Sequence, residues 1–425
     1  MRENRKVISG RTLRPNKPVA VIPIIAVFGM GSTIIATVDS GWRQVLLRYE
    51  EILTMHIVLE KARVISQAPA DLRNWGPWQF PRLFNGGSKL YLEFHISADS
   101  AKSYGNPRKW FVSEDKGDTW LPAENGGLLL DNGDLIKPHQ TRAVAEEEVQ
   151  LPECLGQFSG YGFVRRYFDY EKLASQYKHW YIERKQPDGD WQIEEVQMDL
   201  PGYTMNTSEG VFPMGYFHHF KKGPDGAVWG LLYKHFLSNG AISRYSASWF
   251  LKSTDHGRTF QYVSRTPYHY DLERDPGAEA RYGFGEPDIC FLDDRRAFSL
   301  HRTTDGTGIG PMYITWTEDG GASWTEPAYF DDRGVWPQTV NLENGAILAG
   351  YGRPGLYLRP YDGRRWYDRV TVVEPMAYQT DTCSYCSLTA IAQDTALIFY
   401  SDFNYPGPDG TPRKSIMARK VRVEV

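Results

Sequence analysis

Three observations predict an all-β chain assembled from repeated antiparallel units. One eight-residue pattern occurs three times: Ser-Glu-Asp-Lys-Gly-Asp-Thr-Trp from Ser113, Ser-Thr-Asp-His-Gly-Arg-Thr-Phe from Ser253, and Thr-Glu-Asp-Gly-Gly-Ala-Ser-Trp from Thr317. Between the copies lie segments that read as strand, polar turn and strand. Aromatic residues make up 14% of the 425 positions, with 26 Tyr and 13 Trp, a richness that suits a β core, and helical periodicity is scarce after residue 60.

The repeated pattern, Ser/Thr-x-Asp-x-Gly-x-Ser/Thr-aromatic, has the chemistry of a tight turn. Asp folds its carboxylate back on following backbone N–H groups, Gly takes positive φ, and the aromatic pins the next strand to the core. Pro187-Asp188-Gly189-Asp190-Trp191 and Tyr361-Asp362-Gly363-Arg364-Arg365-Trp366 are degenerate copies. Five hairpins accompany these turns. They run from Phe80 to His95, Phe212 to His235, Glu286 to Arg302, Trp336 to Arg353, and Tyr385 to Asp402. A unit of roughly 60–70 residues is a four-stranded blade with long loops, and the total fits a six-bladed β-propeller. The sixth unit is expected to pair Ser415–Val425 with His56–Ser66, which ties both ends into one ring. Glu146–Gln150 and Tyr170–Tyr177 read as short helical turns.

Residues 1–54 differ from the rest. Arg2, Arg5, Lys6, Arg11, Arg14 and Lys17 face a single Glu3, and Val19–Val38 is an uncharged, mostly apolar run of 20 residues. A basic flank followed by an apolar run reads as a signal sequence or N-terminal anchor, with membrane anchoring through residues 19–38 and an extracellular or membrane-anchored location. The alternative is a true start at Met55, which gives a cytoplasmic protein. The expected division is therefore an N-terminal segment, 1–54, and a propeller domain, 55–425.

A formal net charge of −4 gives no reason to expect a nucleic-acid partner. Four cysteines are too few for a disulfide framework. Cys383-x-x-Cys386 lies in a strand-like run, where positions i and i+3 point to opposite faces, and no second such pair exists. Neither a metal nor another cofactor is expected. His218, His219 and His235 read as structural histidines, since no carboxylate stands at a recognisable ligand spacing.

Aligning the hairpins suggests a site. An antiparallel hairpin returns the chain to the end where it began, so its first and last residues share one end of the blade. Glu286 returns to Arg302, Trp336 to Arg353, Tyr385 to Ser401 and Asp402, Phe80 to His95 with Asp99 in the loop beyond, and Phe212 to Lys234 and His235. Glu286, Arg302, Arg353, Tyr385, His95 and Asp99 are expected to converge on a central depression, with Lys234, His235 and Asp402 as further pocket candidates. Arginines beside a tyrosine and carboxylates suit an anionic sugar with acid/base chemistry next to it.

These residues carry a resemblance over about residues 60–425 to the sialidase (neuraminidase) superfamily, six-bladed propellers marked by such Asp boxes. Gly285-Glu286-Pro287-Asp288 followed by Arg302 looks like the family's Glu…Arg hairpin. Tyr351-Gly352-Arg353-Pro354-Gly355 looks like its last triad arginine, and Ser384-Tyr385-Cys386-Ser387-Leu388 like the strand bearing its tyrosine. The resemblance implies that Tyr385 is a nucleophile paired with Glu286, that Asp99 is the acid/base, and that Arg302 and Arg353 grip a sialic acid carboxylate. The family's first arginine lies in a Phe-Arg-Ile-Pro motif. Here the stretch reads Trp78-Gln79-Phe80-Pro81-Arg82-Leu83, with Gln79 at the arginine position. Arg82, three residues on, completes the triad only if a bulge turns it toward the pocket.

The leading expectation is an exo-glycosidase that removes a terminal acidic sugar from a glycan or oligosaccharide with retention. Tyrosine-using sialidases are a known exception to two-carboxylate hydrolysis. The alternatives are a lyase or hydrolase of uronic acid-containing glycans, suggested by His95 beside the pocket, and a non-catalytic glycan-binding propeller.

Overall fold

The computed structural model describes residues 33–36, 45–48, 55–160, 162–377 and 379–424. Its contacts divide the chain into two units, Met1–Thr54 and Met55–Val425. In the first, Thr33–Ala36 pairs antiparallel with Val45–Arg48. The rest of the apolar run read as a signal or anchor lies outside the described residues. Among the described residues, no helix is long and apolar enough to cross a membrane.

The second unit is a β-propeller whose only helical elements, among the described residues, are short 3-10 turns. Among the described residues, beside three smaller sheets of two or three strands, its larger sheets sort into six antiparallel groups. Four of them read directly as Gln79–Asn85 to Leu121–Ala123, Phe284–Phe291 to Ala328–Asp331, Val335–Asn341 to Val370–Val373, and the group containing Cys386–Ala392, Thr395–Pro406 and Pro412–Glu424. The other two are joined in one eight-stranded sheet, where Gln197 and Met198 pair in parallel with Thr259 and Phe260. One runs from Leu128–Leu129 to Trp191–Met198, the other from His219–Lys222 to Thr259–Thr266. Successive innermost strands touch one another around the ring, and Cys386–Ala392 meets Gln79–Asn85 to close it.

Two expectations about the blades need correction. The Phe212 hairpin does not begin at Phe212. Val211–Phe212 pairs with Val144–Ala145 outside the blade, and the inner strand is His219–Lys222. The terminal strands do not form a blade by themselves either. Pro412–Glu424 pairs with Thr395–Pro406 on one side and with His56–Leu59 and Arg63–Gln67 on the other, so both ends complete the Tyr385 blade. The remaining blade is the group 128–198. Its long insertion between Leu135–Pro138 and Trp180–Lys185 hides the hairpin rhythm in the sequence.

The three repeated turns share one hydrogen-bond pattern. Asp115 Oδ1 accepts from Thr119 N at 2.8 Å, Asp255 Oδ1 from Thr259 N at 2.9 Å, and Asp319 Oδ1 from Ser323 N at 2.9 Å. The residue pairs Lys116-Gly117, His256-Gly257 and Gly320-Gly321 all have positive φ, which explains the glycine at the second position. The turns also join neighbouring blades. Trp120 packs edge-on against Phe399 at 5.0 Å, and Trp324 stacks on Phe250 at 4.6 Å while donating to Ser264 Oγ at 3.0 Å.

A second repeated device lies on the inner strands. The ladders shift register between Gln79 and Arg82, between Gly285 and Asp288, and between Val335 and Gln338. At each shift a non-glycine residue before a proline sits in left-handed backbone: Phe80 at φ 57°, Glu286 at 43° and Trp336 at 46°. Proline suits a bulge because the missing N–H is not required by the ladder there. Each left-handed residue costs on the order of 1–3 kcal/mol, so three such bulges mark a place the surrounding fold holds under strain.

Candidate active site

The three bulge residues all meet Tyr385. The phenol of Tyr385 donates to Glu286 Oε1. Trp336 stacks on the Tyr385 ring with centroids 4.8 Å apart and planes 22° from parallel. Phe80 packs edge-on against it at 4.7 Å. Tyr385 follows Ser384, itself left-handed at φ 62°. The bulges thus turn residues from three different blades onto one phenol.

Glu286 is 7% exposed and its carboxylate is fully engaged. Oε1 takes Arg302 Nη1 at 2.5 Å as well as the phenol, and Oε2 accepts Trp336 N at 3.1 Å. Arg302 Nη1 also approaches the Tyr385 oxygen at 3.4 Å. Burial raises the Tyr385 pKa well above that of free tyrosine, and the Glu286 charge adds to this. The phenol is therefore kept protonated, with a base on its hydrogen.

Arg302 and Arg353 are 6% and 4% exposed. Arg302 Nη2 and Arg353 Nη1 each donate to Gly308 O at 3.3 Å. Arg353 Nη2 donates to Cys383 O at 2.6 Å, and its guanidinium lies 5.3 Å from the Trp75 ring centroid and 5.7 Å from that of Tyr385. Two planar forks held on one carbonyl give a local positive field suited to a carboxylate.

Asp99 lies at the rim, on a loop that packs over Gly76. Its Oδ2 accepts Trp75 Nε1 at 3.1 Å, and its N–H donates to Trp75 O at 3.3 Å. The side chain keeps solvent contact, yet the protein around the carboxyl desolvates it and raises its pKa. Trp75 and Arg353 oppose the rise, and Glu286 and Glu209 add to it.

Arg82 is brought to the edge of this cluster by the Phe80 bulge. Its guanidinium lies 5.4 Å from the ring centroid of Trp336, the ring that covers Tyr385. It also faces Glu93 at 3.8 Å, a carboxylate that Arg108 shares. Gln79 is fully buried and accepts from Gly76 N.

The other pocket candidates are placed differently. The His95 ring packs edge-on against Phe80 at 5.1 Å and lines a small cavity with Asp99, Tyr104, Arg108 and Gln140, behind the Tyr385 cluster. Burial and the charge of Arg108 keep it neutral by lowering its pKa well below the usual imidazole value. Lys234 Nζ donates to Asn206 Oδ1 at 2.6 Å, and burial lowers its pKa to about 7. The last two candidates are bonded to groups outside the Tyr385 cluster. His235, one residue past the strand Val228–Lys234, bonds Ser243 O through Nδ1 at 2.9 Å and stacks under Phe158 at 4.2 Å. Asp402 caps its own turn, accepting Asn404 N at 2.8 Å.

His219 bonds Asp288 at 3.0 Å deeper in the ring, and His218 stacks on Tyr233 at 4.3 Å. Cys383 and Cys386 are buried free thiols, and Ser401 Oγ donates to Cys383 Sγ at 3.0 Å. Among the described residues, no group of His, Cys, Asp and Glu has the arrangement of a metal site.

Sequence reading missed Trp336, Trp75, Gly308 and Glu209. The x-Pro pairs Phe80-Pro81, Glu286-Pro287 and Trp336-Pro337 carried the signal for Trp336, because they stand at equivalent hairpin starts.

No family model and no curated protein matches the chain. Solved structures share its fold. A protein of unknown function from Dyadobacter fermentans DSM 18053 is 16% identical with a TM-score of 0.59, covering 87% of this chain and 99% of its own. A variant of the NanB sialidase from Streptococcus pneumoniae is 11% identical with a TM-score of 0.50, covering 84% of this chain and 70% of its own. NanB with Optactamide is 10% identical with a TM-score of 0.52, over 85% and 70%.

Proposed function

We propose that this propeller is a retaining glycoside hydrolase that removes a terminal acidic sugar, with sialic acid as the leading substrate. The observation that carries the reading is the hydrogen-bonded chain from Tyr385 to Glu286 to Arg302. The sialidase structures of the same fold are consistent with it.

A sugar with its carboxylate on the anomeric carbon repels a carboxylate nucleophile, whereas a neutral phenol avoids that repulsion. In the first step Asp99 gives its proton to the glycosidic oxygen as that bond breaks. Tyr385 Oη bonds to the anomeric carbon while its proton passes to Glu286. In the second step Asp99, now ionised, takes a proton from water. Water attacks the anomeric carbon, and Glu286 returns the proton to the departing phenol. Arg302 and Arg353 hold the substrate carboxylate, and Arg82 adds positive potential from behind Trp336.

The test is incubation with a fluorogenic α-sialoside and a fluorogenic uronide in parallel. The expected result is fluorophore release from the sialoside, with the released sugar in the same anomeric configuration as the substrate. Binding of acidic glycans with no release from any of them refutes catalysis, and an unsaturated ultraviolet-absorbing product points to a lyase.

A further inference from the structure

We propose that Glu209 is a positioning residue for Asp99, latching the loop that bears it to the neighbouring part of the ring. The inference rests on the reading of Asp99 as the acid. Glu209 Oε2 accepts two hydrogen bonds from the residues that follow Asp99, one from Ser100 Oγ at 2.7 Å and one from Ala101 N at 2.6 Å. These residues are 109 and 108 positions apart from Glu209 in sequence, so the contact is not a local turn.

Glu209 is held for this purpose by its own turn. It sits in left-handed backbone at φ 56°, and Gly210 follows at 77°. Ser208 and Val211 exchange hydrogen bonds across the turn at 2.9 and 3.0 Å, and Gly210 O accepts Glu146 N at 3.0 Å. A strained non-glycine residue at a turn tip, with its carboxylate on a distant backbone N–H, is a constrained clamp. The Ala101 N–H is at the start of the Ala101–Ser103 3-10 turn, where backbone donors otherwise need water. A second strap runs beside it: Tyr104 and Tyr216 share a hydrogen bond between hydroxyls at 3.1 Å, with their rings edge-on at 5.2 Å.

The latch also acts electrostatically. The groups facing Asp99 are Trp75, which bonds it, the cation Arg353, the carboxylates Glu286 and Glu209, the phenols Tyr104 and Tyr216, and His95 and Arg108 across the small cavity. Glu209 pushes the Asp99 proton affinity up, toward what an acid needs.

The experiment compares wild type, Glu209→Ala and Glu209→Gln on an alkyl α-sialoside, whose leaving oxygen needs protonation, and on a 4-nitrophenyl α-sialoside, whose leaving group does not. Glu209→Ala is expected to lower kcat/KM on the alkyl substrate by roughly 10-fold or more and to change the aryl substrate little. It also speeds amide exchange at residues 100–104. Glu209→Gln, which keeps an acceptor oxygen but no charge, is expected to move the basic limb of the pH profile to lower pH, because Asp99 loses a neighbour that raises its pKa. Equal losses on both substrates, or unchanged exchange at 100–104 in Glu209→Ala, overturn the proposal. An inactive wild type overturns the hydrolase reading and this role together. An active wild type with a silent Glu209→Ala overturns the latch alone.

Discussion

Glu286 Oε1 receives the phenolic hydrogen of Tyr385 and Arg302 Nη1 at once. One oxygen therefore links the proposed nucleophile to the cationic side of the pocket, across 99 residues of sequence on one arm and 16 on the other. When Glu286 takes that proton it becomes neutral, so the buried Arg302 needs a new counter-charge, which a substrate carboxylate would supply.

The first prediction follows from that oxygen. Tyr385→Phe removes the nucleophile but keeps the ring that Trp336 and Phe80 pack against. It should abolish turnover while leaving the melting temperature and the binding of the acidic product nearly unchanged. Glu286→Gln should lower kcat by roughly 10²–10⁴-fold, the usual worth of a positioned base. Steady-state kinetics with calorimetric binding check both, and full activity in Tyr385→Phe refutes the mechanism.

Arg353→Lys tests the shared carbonyl of Gly308. Lysine keeps the charge but loses the fork that reaches Gly308 O and Cys383 O together. Affinity for the free acidic monosaccharide should weaken by about 1.5–3 kcal/mol, the value of a charge-assisted hydrogen bond. Titration calorimetry measures this directly, and an unchanged Kd places the sugar carboxylate elsewhere.

The raised pKa of Asp99 sets the direction of the pH dependence. The proposed general acid works in its protonated form, so turnover should be retained below the Asp99 pKa and lost as pH rises through it. Asp99→Asn should remove that basic limb along with most of the activity on unactivated substrates. A rate profile that keeps the limb in Asp99→Asn assigns it to another group.

Gly76→Ala probes the support beneath the same loop. A Cβ there would stand 2.1 Å from Asp99 N and 2.5 Å from Ala98 C, and the backbone has φ +112°. Either the loop lifts or the strand shifts. The variant should lose about 1–3 kcal/mol of stability and show a lower kcat on alkyl sialosides. A thermal melt alongside kinetics separates the two effects.

The repeated turns make an acid-stability prediction. Hydrogen bonds from the Thr119 hydroxyl and backbone hold the Asp115 pKa at about 2, and those from Ser323 do the same for Asp319, also at about 2. A carboxylate depressed in the folded state stabilises it fully above the unfolded pKa of about 4 and loses that contribution as pH falls through the folded value. Asp115→Asn with Asp319→Asn should therefore lower the melting temperature at pH 7 and narrow the gap to wild type below about pH 3. A constant gap across that range counts against the carboxylates as its source.

How much of this was legible in the sequence depended on chemistry that repeats. The turns at Asp115, Asp255 and Asp319 announced the blades because each needs the same Asp and Gly for the same hydrogen bonds. The Glu286, Arg302, Arg353 and Tyr385 group followed from hairpin ends, since antiparallel strands return the chain. Hairpin return could not separate Lys234 from His235, which stand next to each other yet bond Asn206 and Ser243 respectively. It also left Arg82 undecided, because the direction of that side chain depends on a bulge at Phe80. Gly308 was invisible: its role belongs to a backbone carbonyl, and nothing in a glycine's identity says which arginines will find it.

The pairing of Pro412–Glu424 with His56–Leu59 and Arg63–Gln67 makes the ring a belt fastened at a single seam. Trimming either end would unfasten the whole circle instead of shortening one blade. The same seam sets the two ends of the domain side by side, so a permuted gene that joins them and opens the chain in another loop should still encode the same ring.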